Sequence, residues 1–268
     1  MSQAIPPIGM VDQLQATPRA QTPFEQAVLA FALKTGPQDA EVLARVMDPE
    51  AREAYAKAEI EQRAVDWPHL GLYRGEDAED VTAERPKVVF IGDSITEMWR
   101  YGDPELFSNG TLGRGISGQT SPQILIRFYP DVVALKPTAV HILCGANDIA
   151  GNTGPTTPQD YKNNIMAMLD IAQSNGIKVL LGSITPAAQF SHRPEVAPMA
   201  RIAELNEWLR QIASERSAIF VDYFSALATE DRSMRTDYAN DGLHPNAAGY
   251  EAMRPLALAA IQQVLGSV

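Results

Sequence analysis

Five short apolar runs alternating with helical stretches limit what this chain can fold into. The runs fall at residues 87–91, 111–114, 139–143, 178–184 and 218–222. Stretches at 122–128, 161–174 and 199–214, and a last one at 247–264, read as helices between and after them. Each gap between runs is long enough for a crossover, so the pattern predicts a parallel sheet rather than hairpins. Right-handed crossovers then place helices on both faces of that sheet.

The central stretch is 86–99. Val88, Val89, Phe90 and Ile91 form a β-branched and aromatic run that reads as a strand buried on both faces, and it leaves through Gly92-Asp93-Ser94. Open α/β sheets place their chemistry outside the carboxyl ends of the strands. Ser94 stands there, which makes it a candidate nucleophile in need of a base, an orienting acid and oxyanion donors.

The chain has four histidines. His141 lies inside an apolar run and reads as a core residue, His69 lies in a helical region, and His192 sits in a polar loop without an adjacent carboxylate. His244 is different, because Asn240-Asp241-Gly242-Leu243-His244-Pro245-Asn246 is a turn-rich loop directly before the last helix. Asp241, three residues earlier, can reach the Nδ1–H of His244 and fix its tautomer; the alternative is a carboxylate that only caps a turn. After the second run, 113–122 carries three glycines and leads into a helix at Ser121-Pro122, so the Gly118 N–H can face a developing negative charge. After the third run, Asn147 in Gly145-Ala146-Asn147-Asp148 can donate to the same oxyanion or cap a turn.

Gly92-Asp93-Ser94, Gly118, Gly145-Ala146-Asn147-Asp148 and Asp241-Gly242-Leu243-His244-Pro245 together resemble, in order, the four sequence blocks of the SGNH hydrolases, also called GDSL esterases and lipases. The resemblance covers residues 87–264. It implies a three-layer, flavodoxin-like α/β/α sandwich on a five-stranded parallel sheet. It also implies a Ser94–His244–Asp241 triad, with an oxyanion hole formed by Ser94 N–H, Gly118 N–H and the Asn147 side chain. No metal or organic cofactor is implied. Trp67, Tyr73 and Trp99 are similar to the platelet-activating-factor-acetylhydrolase-like branch. The expected activity is hydrolysis of short-chain carboxylic esters, with acetyl groups on carbohydrates the leading substrate. Thioesterase or lysophospholipase activity is the second enzymatic reading, and a non-catalytic ligand- or glycan-binding domain is the reading from another class.

Other nucleophiles are weaker. Gly182-Ser183-Ile184-Thr185 also follows a run but lacks the intervening Asp, and Cys144 at the tail of a run reads as a small buried hydrophobe. The Gly-x-Ser-x-Gly elbow of α/β-hydrolases is absent, since Thr96 stands where its second Gly would be.

Residues 1–85 read as a loose arm followed by a helical extension, and 86–268 as the catalytic domain. Phe24, Val28, Phe31 and Ala32 share one helical face, and Val42, Leu43, Val46 and Met47 form the next stripe. Asp48 and Pro49 open a charged helix to about Arg63, and an acidic connector follows at 75–84. These helices can pack in cis, cap the site or form a dimer face. The formal net charge of −11 argues against nucleic acid and against docking on anionic membranes. No apolar run approaches the roughly 18–20 residues that span a bilayer. The start lacks the basic, apolar and small-residue pattern of a signal peptide, which at face value means cytoplasmic, although a mature exported form would look the same. Loop 186–198, with Phe190, His192 and Arg193, is the expected substrate-side wall.

Overall fold

In the computed structural model, residues 21–74 and 86–266 are described. Five strands, β1 (Val88–Gly92), β2 (Thr111–Gly115), β3 (Ala139–Leu143), β4 (Lys178–Gly182) and β5 (Ile219–Val221), form one sheet in the order β2-β1-β3-β4-β5. Every pairing is parallel. All residues of β1 and β3 are buried, as central strands covered on both faces require.

The strand period of two sorts the side chains between two cores. Val89, Ile91, Val140 and Ile142 face one way and pack with Ile124 and Phe128 of α5 (Ser121–Asp131), Ile165 and Met168 of α7 (Pro158–Ser174), and Leu205 and Leu209 of α8 (Met199–Glu215). Val88, Phe90, Ala139 and Leu143 face the other way, against Met98 and Trp99 of α4 (Ser94–Gly102) and Tyr250 and Met253 of α10 (Ala247–Leu265). The result is the expected three-layer sandwich.

Some boundaries differ from the sequence reading. The run at 178–184 leaves the sheet at Gly182, because Ile184 turns to exchange both its backbone hydrogen bonds with the Asn206 carboxamide. β5 is three residues long, and Asp222 instead caps the short helix α9 (Tyr223–Leu227) through the Ser225 N–H. Helix α5 starts at Ser121 behind a Thr120–Gln123 capping box and runs on to Asp131. Among the described residues, three α-helices were not expected: α4, α6 (Ala146–Ala150) and α9.

At the N-terminal end lie α1 (Pro23–Leu33), α2 (Ala40–Met47) and α3 (Pro49–Val65), opened respectively by Thr22, Asp39 and Asp48 as caps. Helix α1 buries Ala27 and Ala32, and its last carbonyls accept from the Asn240 carboxamide. The apolar stripe expected on α2 is not buried: Met47 is 63% exposed and Leu43 36%. The acidic connector and residues 1–20 of the arm lie outside the described residues. Among the described residues, no helix is long and apolar enough to cross a membrane.

Candidate active site

The turns after β1, β2 and β3, and the loop before α10, form one edge of the sheet. At the end of β1, Gly92 is required: a Cβ there would stand 2.2 Å from Thr96 Oγ1 and 2.3 Å from Leu143 O. The close approach lets α4 begin two residues later, at Ser94 itself. Asp93 caps that helix, its Oδ1 accepting the Ile95 N–H at 3.0 Å. The Nδ1 of His244 pairs with Asp241 and not with Asp93.

Ser94 Oγ lies 2.9 Å from His244 Nε2, and His244 Nδ1 lies 2.6 Å from Asp241 Oδ2. The other oxygen of Asp241 accepts the N–H groups of Leu243 (2.9 Å) and His244 (2.8 Å). One carboxylate therefore folds its own loop and still presents an oxygen to the ring. An acceptor at Nδ1 puts the imidazole proton there and turns the Nε2 lone pair toward Ser94. Burial opposes both charges, yet the attraction between them wins. Asp241 is held down at about 2, and His244 is raised above its ordinary value by the Asp241 charge and hydrogen bond.

Gly118 occupies the left-handed region at φ +75°, as a tight turn there demands. The Gln119 carbonyl beside it accepts from Asn147 Nδ2 at 3.0 Å, while Asn147 Oδ1 accepts from Asn152 Nδ2 at 2.7 Å. The two candidate oxyanion donors are thus joined through one residue. Asp148 ties the same loops together by accepting from both the N–H and the hydroxyl of Ser121. Burial raises Asp148 to about 6 and Asp93 to about 7.

Sequence reasoning missed the groups beneath this surface. Arg127 is fully buried and holds the turn from below. Its Nε donates to Gln119 Oε1 (2.5 Å), its Nη1 to Arg114 O (2.7 Å) and Asp131 (2.9 Å), and its Nη2 to Gly92 O (2.7 Å). The segment after α3 closes over the turn from above: Pro68 O accepts from Gln119 Nε2, Trp67 O accepts from Gln123 Nε2, and the Tyr73 hydroxyl donates to Gly115 O. A basic residue amid the apolar positions of a helix (Ile124, Arg127, Phe128) was the one local signal for Arg127.

The remaining candidates sit elsewhere. Ser183 is fully buried, with its Oγ accepting the Phe224 N–H. Cys144 is buried and its thiol is pushed well above the ordinary range by burial. His141 stacks on Phe90 in the core and pairs with the Tyr223 hydroxyl, and burial lowers it to about 3. His69 is buried too. In loop 186–198, Phe190 is a core residue, while exposed His192 hydrogen-bonds Asn152 Oδ1 at 3.0 Å. Among the described residues there is no cluster of three or more His, Cys, Asp or Glu able to hold a metal.

Known proteins share this arrangement of layers. The sequence profile of the GDSL-like Lipase/Acylhydrolase family matches residues 90–252. A solved structure from Bacteroides fragilis described as an acylhydrolase is 40% identical, with a TM-score of 0.71 over 75% of this chain and 99% of that one. A GDSL-like lipase structure from Bacteroides thetaiotaomicron is 39% identical, with a TM-score of 0.67 over 71% of this chain and 97% of that one. An acetylxylan esterase from Geobacillus stearothermophilus is 28% identical over 196 residues, 61% of this chain and 88% of that protein. This chain belongs to the GDSL-like lipase/acylhydrolase family and is a carboxylic ester hydrolase.

Proposed function

We propose that the chain hydrolyses short-chain carboxylic esters, acetyl groups on carbohydrates foremost, through an acyl-enzyme on Ser94. The reading rests on one observation: the unbroken hydrogen-bonded series from Ser94 Oγ through the His244 ring to Asp241. Ser94 Oγ attacks the ester carbonyl carbon as His244 Nε2 takes its proton, and the resulting imidazolium is stabilised by the Asp241 carboxylate. The tetrahedral oxyanion accepts from Ser94 N–H, Gly118 N–H and Asn147 Nδ2. A carboxamide nitrogen has two hydrogens. Gln119 O takes one from Asn147 and aims the other. When the carbonyl re-forms, the bond to the leaving oxygen breaks and His244 returns its proton to the alcohol. The same nitrogen then activates water to release the acid and free Ser94.

Residues 86–268 carry this machinery, and the stretch from Arg63 to Tyr73 walls it on one side. The similarity to an acetylxylan esterase supports a small acyl group on a sugar. A p-nitrophenyl ester series from acetate to octanoate, run beside acetylated xylosides, tests the proposal. Turnover should be greatest with acetate and detectable on the sugar esters, and Ser94→Ala should abolish both while leaving the unfolding midpoint in place. Preference for the long chains, or a Ser94→Ala protein that keeps more than a few per cent of the rate, would refute it.

A further inference from the structure

Helix α3 of the N-terminal extension delivers a cation to the site. Arg63 Nη2 lies 3.2 Å from where a Cβ on Gly118 would stand, so its guanidinium overhangs the turn proposed to hold the oxyanion. Nη1 donates to Asn152 O at 3.3 Å. One turn earlier, Glu59 stands 3.8 Å from Nη2, and the Arg63 side chain remains 28% exposed.

Asn152 links this cation to the opposite wall. Its Nδ2 is committed as a donor to Asn147 Oδ1, so its Oδ1 can only accept. His192 Nε2, 3.0 Å away, must therefore carry the proton, which leaves His192 Nδ1 as an acceptor. Partial desolvation of the exposed ring, with Arg193 and His244 nearby, holds His192 below the ordinary histidine value, so the ring is neutral near pH 7. The rim thus presents a fork of N–H donors on one side of Asn152 and a ring acceptor on the other. Hydroxyl groups need that pairing, since each both accepts and donates. An anion would meet Glu59 beside the guanidinium and a chain of net charge −11.

We propose that Arg63 and His192 form a subsite for a neutral, hydroxylated leaving group, a sugar or another polyol, with Asn152 joining that subsite to Asn147. The proposal builds on the reading of Ser94 as the nucleophile of an ester hydrolase. It also gives the extension a purpose in substrate choice.

Steady-state kinetics on three acetates test it: p-nitrophenyl acetate, an acetylated methyl xyloside, and the matching acetylated uronate. Loss of one hydrogen bond to substrate is worth on the order of tenfold. Arg63→Met and His192→Phe should each lower kcat/KM for the xyloside about tenfold more than for p-nitrophenyl acetate, chiefly through KM. Arg63→Lys should recover part of that loss. Equal losses on the xyloside and the aryl ester would show a structural role and overturn the proposal, as would a loss confined to the uronate. Wild-type protein that cleaves the aryl ester but not the xyloside overturns this proposal and the carbohydrate part of the proposed function while leaving Ser94 as the nucleophile; protein that cleaves neither overturns the Ser94 reading as well.

Discussion

Replacing Arg127 by Met tests whether the turn at Gly118, proposed to hold the oxyanion, is held from beneath. The guanidinium has no exposed surface, and its donors reach Gly92 O, Arg114 O, Gln119 Oε1 and Asp131. Met fills much of the same volume but supplies none of them. Breaking a buried ion pair on one side costs about 3–5 kcal/mol, because the remaining charge stays buried. Each buried acceptor that loses its donor costs about 1–3 kcal/mol where nothing replaces it, and these penalties overlap rather than add. We take about 4 kcal/mol as the expected loss, which for a domain of this size lowers Tm by roughly 8–16 °C. Urea unfolding followed by tryptophan fluorescence reads the stability. Initial rates on p-nitrophenyl acetate, at a temperature where the variant is folded, read the site. With Gln119 released, Gly118 and Asn147 lose their fixed spacing, and kcat should fall about 10–100-fold, less than the roughly 10²–10³ for removing an oxyanion donor outright. A stability loss below about 1 kcal/mol, or an unchanged kcat in the folded variant, would refute the reasoning.

Two further predictions concern titrating groups. Asp241 raises the pKa of His244, so the acidic limb of kcat/KM should lie above 6.5 in the wild type, activity being lost as pH falls through it and the ring takes up a proton. In Asp241→Asn the limb should move to lower pH and kcat should drop on the order of 10³–10⁴-fold; a pH–rate profile with an unmoved limb contradicts the assignment. Burial raises Asp93 to about 7 from an unfolded value of 3.8. Its contribution to stability is therefore fully present below pH 3.8 and lost as pH rises to 7, a change on the order of 4 kcal/mol. Asp93→Asn, which keeps an oxygen to cap α4, should gain stability relative to the wild type across that window; parallel stability curves from pH 4 to 8 would rule this out.

The parts that follow a local period were legible in the sequence. The runs that became β1 and β3 could hardly be anything but central strands, and the turn glycines and the Asp241-x-x-His244 spacing marked the candidate site because each is a short-range pattern. The sequence reading assigns no helix at 94–102, a nine-residue segment whose apolar residues Ile95, Met98 and Trp99 start only three residues after the strand's last turn glycine. What joins residues far apart in the chain left no local trace. Arg127 reaches Gly92 across 35 positions and Gln119 reaches Pro68 across 51. Arg63 reaches Asn152 across 89. The sequence leaves the extension open as a packed segment, a cap on the site or a dimer face, and only its three-dimensional course shows that residues 63–73 lie over the turn at Gly118. The apolar residues of α2 illustrate the reverse error, since a helical stripe states which face is apolar and not whether anything covers it.

The central claim is that Ser94 becomes covalently acylated, and trapping it is the most direct test. The protein is treated with an aryl organophosphonate, digested, and the labelled peptide mapped by mass spectrometry, with Ser94→Ala and His244→Ala treated in parallel. Stoichiometric label is expected on the peptide containing Ser94 in the wild type, none on Ser94→Ala, and greatly slowed labelling of His244→Ala. Label on Ser183 or on Cys144 at a comparable rate, or labelling of Ser94 indifferent to the loss of His244, would contradict it.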